Sequence, residues 1–316
     1  MESRQLLQLV LTQVNQSILG KTTQIKEILL AILAGGNILL QDIPGVGKTT
    51  LALAFSKTLS LQYRRIQFTP DVLPSDLTGF SIYRRETESF VYQPGSIFCN
   101  LLLADEINRT SPKTQAALLE VMEEQKVTVE GVTREVPKPF LVIATQNPTG
   151  AAGTQSLPEA QVDRFMVSLS LGYPDFDSEL ALALGAGGKP QLEEIAPVMG
   201  AAELLAMQSA VKRVYIKENV GEYMTRLVRA TREHTGLERG CSPRATLALA
   251  QISRASAWLN GREYVTPNDV QEQFPYIASH RIILSPSAKM EKSTPERVIE
   301  EILKTVKKPF LGGIGR

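Results

Sequence analysis

The sequence holds little of what specialised chemistry usually needs. It has two cysteines in 316 residues, Cys99 and Cys241, far apart and outside any metal-ligand spacing. That excludes a disulfide framework and a cysteine-rich metal site, and it fits inert thiols in a reducing compartment. The two histidines, His234 and His280, lie near neither a second histidine nor an acidic cluster, so they read as structural. The single tryptophan, Trp258, sits among Ala and Leu in a helical pattern and reads as core packing. Charge of one sign is missing too. The formal net charge of +1, with no basic-aromatic run, gives no electrostatic argument for nucleic acid or an anionic membrane. Long hydrophobic runs are absent. The longest, residues 28–40, is too short to span a bilayer and is split by Gly35-Gly36-Asn37. The opening MESRQLLQLVLTQVNQ is an amphipathic helix pattern rather than a signal peptide. The expectation is a cytoplasmic protein without a transmembrane segment, internal repeat or low-complexity tract.

What is present is an ordinary globular composition, 43% hydrophobic and 21% charged, at a length that suggests about two domains. Strand patterns at 37–41, 64–68, 101–105, 140–145 and 167–171 alternate with helical patterns, notably 49–59 and 113–124. That alternation predicts an α/β fold with a parallel sheet covered on both faces. Alternating segments at 78–97 and 126–136 predict two inserted β-hairpins, the second turning near Glu130-Gly131. After Tyr173 the pattern becomes helical, near 201–213, 218–235, 243–260, 267–278 and 294–306. Thr266 and Pro267 form a clear helix start. The expected division is an α/β core over 1–173 and a helical second domain over 174–316, with a flexible stretch at 185–190.

The first strand runs into Asp42-Ile43-Pro44-Gly45-Val46-Gly47-Lys48-Thr49-Thr50 and then a helix. This is the layout of a phosphate-binding loop. Glycines let backbone N–H groups turn toward phosphates, and the helix adds its positive dipole end. Lys48 can reach the β/γ-phosphates, and the Thr49 hydroxyl can ligate Mg²⁺. Asp42 stands where the strict pattern has glycine, while Gly45 and Gly47 keep the sharp part of the loop.

The apolar run 100–104 ends in Asp105-Glu106, at the carboxyl end of a strand where α/β ligands sit. Asp105 is placed to hold Mg²⁺, and Glu106 to orient or deprotonate the attacking water. The run 140–145 ends in Thr145-Gln146-Asn147-Pro148. There Asn147 either contacts the γ-phosphate or the water, or is a plain turn residue. Arg164, just before the fifth strand, is either a surface partner of Asp163 or Glu159 or a residue reaching a neighbouring subunit's γ-phosphate. Arg244 stands in the first turn of a lid helix, where the dipole disfavours a cation, which hints at an external anion.

Together DIPGVGKTT, NLLLADEINRTSPKTQAALLEVMEE, ATQNP and LPEAQVDRF, with SPRATLAL, NGREYVTPNDV and HRIIL, resemble the MoxR family of AAA+ ATPases, in their magnesium-chelatase-like branch. The resemblance runs over most of the chain. It implies Mg-dependent hydrolysis of ATP to ADP, with Lys48 and Thr49 as Walker A and Asp105 and Glu106 as Walker B. It further implies Asn147 as sensor 1, Arg164 as an arginine finger acting on the adjacent subunit, and Arg244 as sensor 2, in its own subunit or the neighbour. Residues Pro44 to Thr50 would cradle the nucleotide. Ile18, Leu19 and Gly20 would form the adenine side, and Lys21, where family members often have Gln, is not expected to read the base. Arg109 is a second interface candidate. Family members resemble ring-formers, usually hexamers, serving as chaperone-like or assembly motors with partners that carry von Willebrand A-type domains. Hydrolysis would rotate the helical domain against the core. A slow-cycling nucleotide-gated scaffold is the alternative, and a nucleic-acid motor or small-molecule kinase is less well supported.

Overall fold

The computed structural model describes residues 3–42, 45–147, 157–186 and 189–310. Two helices come first, α1 (Ser3–Ser17) and α2 (Thr22–Leu33). Strands and helices then alternate: β1 (Ile38–Gln41), α3 (Lys48–Thr58), β2 (Tyr63–Gln67), β3 (Leu101–Asp105), α4 (Pro112–Glu124), β4 (Leu141–Gln146) and β5 (Val167–Leu169). The five strands form one parallel sheet in the order β2-β3-β4-β1-β5.

The central strands β1, β3 and β4 are buried on both faces, which is why they read as apolar runs, whereas the edge strand β2 (YRRIQ) is half-exposed. Alternate residues enter two different clusters. Leu101, Leu103, Ile38, Leu40 and Ile143 pack on one side; Leu102, Ala104, Leu39, Val142 and Ala144 pack on the other. Side α4 covers the second cluster through Leu118, Leu119 and Met122. The carboxyl ends of β1, β3 and β4 therefore come out side by side.

Both expected hairpins form. Phe80–Arg84 pairs with Ser89–Gln93, and Lys126–Val129 with Val132–Glu135. The second turns through Glu130 and Gly131, at φ +52° and +76°, the positive pair that a two-residue hairpin needs. Ser81 Oγ donates to Glu130 Oε2 at 2.5 Å, so the two hairpins touch.

Beyond Tyr173 the helices are α5 (Ala201–Lys212), α6 (Glu218–Glu233), α7 (Pro243–Leu259), α8 (Pro267–Ala278) and α9 (Pro295–Thr305). Ser242, Thr266 and Thr294 accept backbone N–H bonds at the starts of the last three, each followed by proline. Several short elements in this half differ from the sequence pattern. A two-residue strand, Ile283–Leu284, pairs antiparallel with Leu237–Arg239. Short helices also form at Phe176–Ala183 and Lys189–Glu194, the second where flexibility is expected; residues 187 and 188 of that stretch lie outside the described residues.

The apolar cluster under α1 and α2 continues into Tyr223, Leu249 and Phe274 of the later helices. Among the described residues, no helix is long and apolar enough to cross a membrane.

Candidate active site

A cavity of about 380 Å³ opens at the carboxyl ends of the strands, lined by Gly45, Gly47, Lys48, Thr49, Thr50, Arg65, Gln67, Asp105 and Glu106. Its floor is the loop between β1 and α3. Gly45 and Gly47 stand at φ +89° and +93°, where a side chain would be strained, so the loop needs glycine at both. Gly47 caps α3 without any side-chain bond, which leaves the helix N–H groups directed to the cavity. Pro44 lies outside the described residues. Asp42, the departure from the strict loop pattern, is buried and holds the loop in place. Its carboxylate accepts from Ser170 Oγ at 2.7 Å, Leu171 N at 2.7 Å and Gly172 N at 2.9 Å. Lys48 Nζ donates to the Asp42 carbonyl at 3.0 Å, and burial lowers its pKa against the pull of Asp42, Asp105 and Glu106.

Asp105 ends β3. Its Oδ1 accepts from Thr145 Oγ1 at 2.6 Å and its Oδ2 from Arg65 Nη2 at 2.7 Å. The Thr49 hydroxyl and the Asp105 carboxylate line the same cavity and are the hard oxygen donors that Mg²⁺ takes, so these residues fit the ion. Among the described residues no group of three or more His, Cys, Asp or Glu could hold a metal unaided. Phosphate and water oxygens would have to complete its shell.

Glu106 follows at φ +57°, a left-handed conformation rare for a side-chain-bearing residue and common where strain serves a site. Its N–H donates to Thr145 Oγ1 at 2.8 Å. Its Oε2 accepts from Arg109 Nη1 at 2.8 Å and its Oε1 from Asn147 Nδ2 at 3.0 Å. Burial alone would raise the Glu106 pKa; the bonds from Arg109 and Asn147 outweigh it and hold the carboxyl below its usual value. Asn147 Oδ1 is buried with no partner among the described residues.

The adenine-side segment lies beside the loop. Ile18 is buried near Gly47, 3.8 Å from where a side chain there would begin. Leu19 is half-buried. Gly20 stands at φ +70°, where a side chain would be strained and would begin 2.5 Å from Ser178 Oγ. Lys21 donates to the Tyr173 carbonyl at 2.6 Å, which leaves base reading to other groups.

Neither Arg164 nor Arg244 lines this cavity. Both converge instead on Glu123 of α4. Arg164 Nη1 is 3.3 Å from Glu123 Oε2, and Arg244 Nη2 is 2.5 Å from Glu123 Oε1. The surface pairing of Arg164 with Asp163 or Glu159 does not form, because Asp163 binds Arg281 and Glu159 binds Arg239.

A family model described as ATPase family associated with various cellular activities (AAA) matches residues 37–167, and one described as AAA lid domain matches 229–302. Chaperone MoxR1 of Mycobacterium tuberculosis is 37% identical over 98% of this chain and 84% of its own length. The uncharacterized protein YeaC of Bacillus subtilis is 46% identical over 94% of this chain and 92% of its own. A crystal structure of a Cytophaga hutchinsonii protein assigned as an ATPase superposes with a TM-score of 0.89, at 38% identity, over 98% of this chain and 96% of that one. This chain belongs to the MoxR family of AAA+ ATPases. A minichromosome-maintenance homologue from Methanopyrus kandleri shares the fold alone, at 16% identity and a TM-score of 0.61 over 89% of this chain and 61% of that one.

In this MoxR-family chain, sequence reasoning missed Arg65, Thr145 and Glu123. Arg65 reaches Asp105 because β2 pairs with β3, Ile66 opposite Ala104 and Gln67 opposite Asp105, a register that no local pattern shows. Thr145 was readable only as the end of a strand, yet it bonds both Asp105 and the Glu106 backbone. Glu123 is one of three acids on α4, with Glu120 and Glu124, and no local pattern singles it out. The remaining candidates of low chemistry fall as expected. His234 lies 3.5 Å from Glu301, His280 is buried against the Phe165 carbonyl, and Trp258 packs on the core.

Proposed function

We propose that this chain hydrolyses ATP with Mg²⁺ at the interface between subunits of a ring, and drives a chaperone-like or assembly motor. The observation that carries this is the separation of the arginines from the phosphate cavity of their own chain. The loop, Asp105, Glu106 and Asn147 converge in one place, while Arg164 and Arg244 converge in another, on a half-exposed carboxylate. A second subunit, stacked head to tail, would bring the two halves together.

In that arrangement Lys48 and the backbone N–H groups around Gly47 bind the β/γ-phosphates. Thr49 and Asp105 would hold the Mg²⁺, which neutralises charge on the phosphates when bound. Glu106 orients the attacking water. Its depressed pKa keeps it ionised and makes orientation, rather than proton removal, its stronger contribution. The unpartnered Asn147 Oδ1 accepts the water's other hydrogen. Arg164 and Arg244 of the neighbour stabilise charge on the transferred phosphoryl group, both in trans. The division into a core over 1–173 and a lid over 174–316, the hexameric state, and partners with von Willebrand A-type domains belong to the same proposal and rest on the family resemblance.

A nucleotide-gated scaffold with slow turnover is the second reading. It is favoured by one observation: both Glu106 oxygens are already engaged, by Arg109 and Asn147. Phosphate release and solution mass, measured together with Mg-ATP for wild type and Glu106→Gln, decide between the two. Nucleotide-dependent assembly, with turnover falling about a hundredfold or more in the variant, supports the interface ATPase. A wild type that binds ATP, stays monomeric and does not turn over supports the scaffold.

A further inference from the structure

The two arginines come from different parts of the chain, Arg164 from the segment entering β5 and Arg244 from the first turn of α7. A buried network behind them explains how they meet. Arg281, just past α8, is 8% exposed and uses its whole guanidinium. Its Nε donates to Asp163 Oδ1 at 2.7 Å, and Nη2 to the carbonyls of Asp163 at 3.1 Å and Phe165 at 2.5 Å. Nη1 donates to Met166 O at 3.1 Å and Ile277 O at 2.5 Å. The other Asp163 oxygen accepts from Ser242 Oγ at 2.7 Å, and Ser242 Oγ accepts from Arg244 N at 3.1 Å. Asp163 precedes Arg164 directly, and Ser242 lies two residues before Arg244. One buried fork thus ties the backbone of the first arginine to the helix start that carries the second.

We infer that Arg281, through Asp163 and Ser242, is the positioning residue that fixes Arg164 and Arg244 as one anion-binding pair presented to the neighbouring subunit's γ-phosphate. Glu123 holds that pair before the phosphate arrives. Its two oxygens take one arginine each, as two phosphoryl oxygens would. Half-exposed pairs of this kind are weak and exchangeable, so the phosphate can displace it. Arg164 Nε, buried with no partner among the described residues, is a donor in hand for the incoming anion. Arginine is required at 281 because a lysine has the charge but not five donors in a plane.

The inference rests on the interface reading above, and subunit mixing separates the two. Arg281→Lys alone is expected to lower kcat about tenfold or more while KM for ATP stays within about twofold, since its own phosphate cavity is untouched. Glu106→Gln alone is silent but keeps intact arginines. Mixed 1:1, the silent subunits lend their arginines to the intact cavities of Arg281→Lys, and turnover per Arg281→Lys subunit rises several-fold. If Arg281 only braces the lid, its own cavity is damaged and mixing restores nothing, which overturns the inference. The control pair is Arg164→Ala with Glu106→Gln. Failure of that pair to complement overturns the interface reading itself. Success there with failure for Arg281→Lys overturns the positioning role alone. Should Arg281→Lys fail to fold by thermal melting, Ser242→Ala carries the test, because it leaves Arg281 in place and removes the link between Asp163 and α7 together with the cap bond from Arg244 N. It is expected to lower kcat in the same direction, more weakly, and to be complemented in the same mixture; unchanged kcat overturns the inference.

Discussion

Glu27 offers the sharpest test of the energetics that join the two halves of this chain. It lies on α2, 5% exposed, facing Gln273 and Tyr276 of α8, with Lys26 and Glu272 as the nearby charges. Burial pushes its pKa up from 4.5 to about 7, opposed weakly by Gln273 and Lys26. A raised carboxyl means that the folded state binds the proton more tightly than the unfolded chain. Stability must therefore fall as pH rises from 4.5 to 7, and the full penalty must stand above 7. The rise from 4.5 to about 7, at ~1.4 kcal/mol per unit, is about 3 kcal/mol. Glu27→Gln keeps the shape and carries no such penalty. Urea unfolding should find the variant more stable than wild type by about 3 kcal/mol at pH 8 and by less than about 1 kcal/mol at pH 5. The difference between the two pH values is the quantity that matters, because any misfit of the glutamine appears equally at both. A stability gap that is the same at pH 5 and pH 8 would falsify the assignment of a protonated carboxyl to this joint.

Three more outcomes follow from single contacts. Asp42→Ala leaves the buried Leu171 N–H and the Gly172 N–H without their acceptor; thermal melting should show a loss of about 3 kcal/mol, and calorimetry should show weakened nucleotide binding as the loop loosens. Arg109→Ala removes the bond that most lowers Glu106, so the acid limb of the turnover profile should move to higher pH; an unmoved limb would separate that limb from Glu106. Burial pushes Cys99 up to about 12 and Cys241 to about 11, so neither thiol should react with a disulfide reagent at pH 8 until denaturant is added, and rapid labelling of the native protein would contradict the packing around them.

Much of the fold was legible because both faces of the sheet are buried. That condition writes Leu39-Leu40, Leu101 to Ala104 and Leu141 to Ala144 as apolar runs, and β3 turns polar at Asp105, where it ends at the cavity. The hairpin at Glu130-Gly131 was legible because its turn is local. What failed to show is non-local. The register that sets Arg65 on Asp105 depends on two strands about 40 positions apart. The ribbon of Leu237–Arg239 and Ile283–Leu284 is too short to leave a period, and its strands are separated by α7 and α8. The helix Phe176–Ala183 did carry a signal, since Asp175 accepts from Ser178 N at 2.8 Å as a normal N-cap. It was missed because the helix buries nothing and so shows no apolar stripe.

The segment Val162-Asp163-Arg164-Phe165 shows why one motif can carry two duties. Asp163 turns inward to Arg281 and Ser242; Arg164 turns outward to Glu123; Phe165 fills the core beside the sheet. The strengths of these links differ. Arg281 makes five hydrogen bonds with its charged fork in a buried setting, each worth about 1.5–3 kcal/mol, on the order of 10 kcal/mol together. The two arginine pairs on Glu123 are half-exposed and worth ~0–1 kcal/mol each. A rotation of the helical part against the sheet at 163–166 would have to break the strong set, whereas release of Glu123 breaks only the weak one. The low-energy movement is therefore exchange at Glu123, with the arginine pair, α7, the end of α8 and the start of β5 moving as one piece. In the proposed interface arrangement, nucleotide state would then read out first between subunits, where Glu123 and a neighbour's phosphate would compete for the same two guanidinium groups.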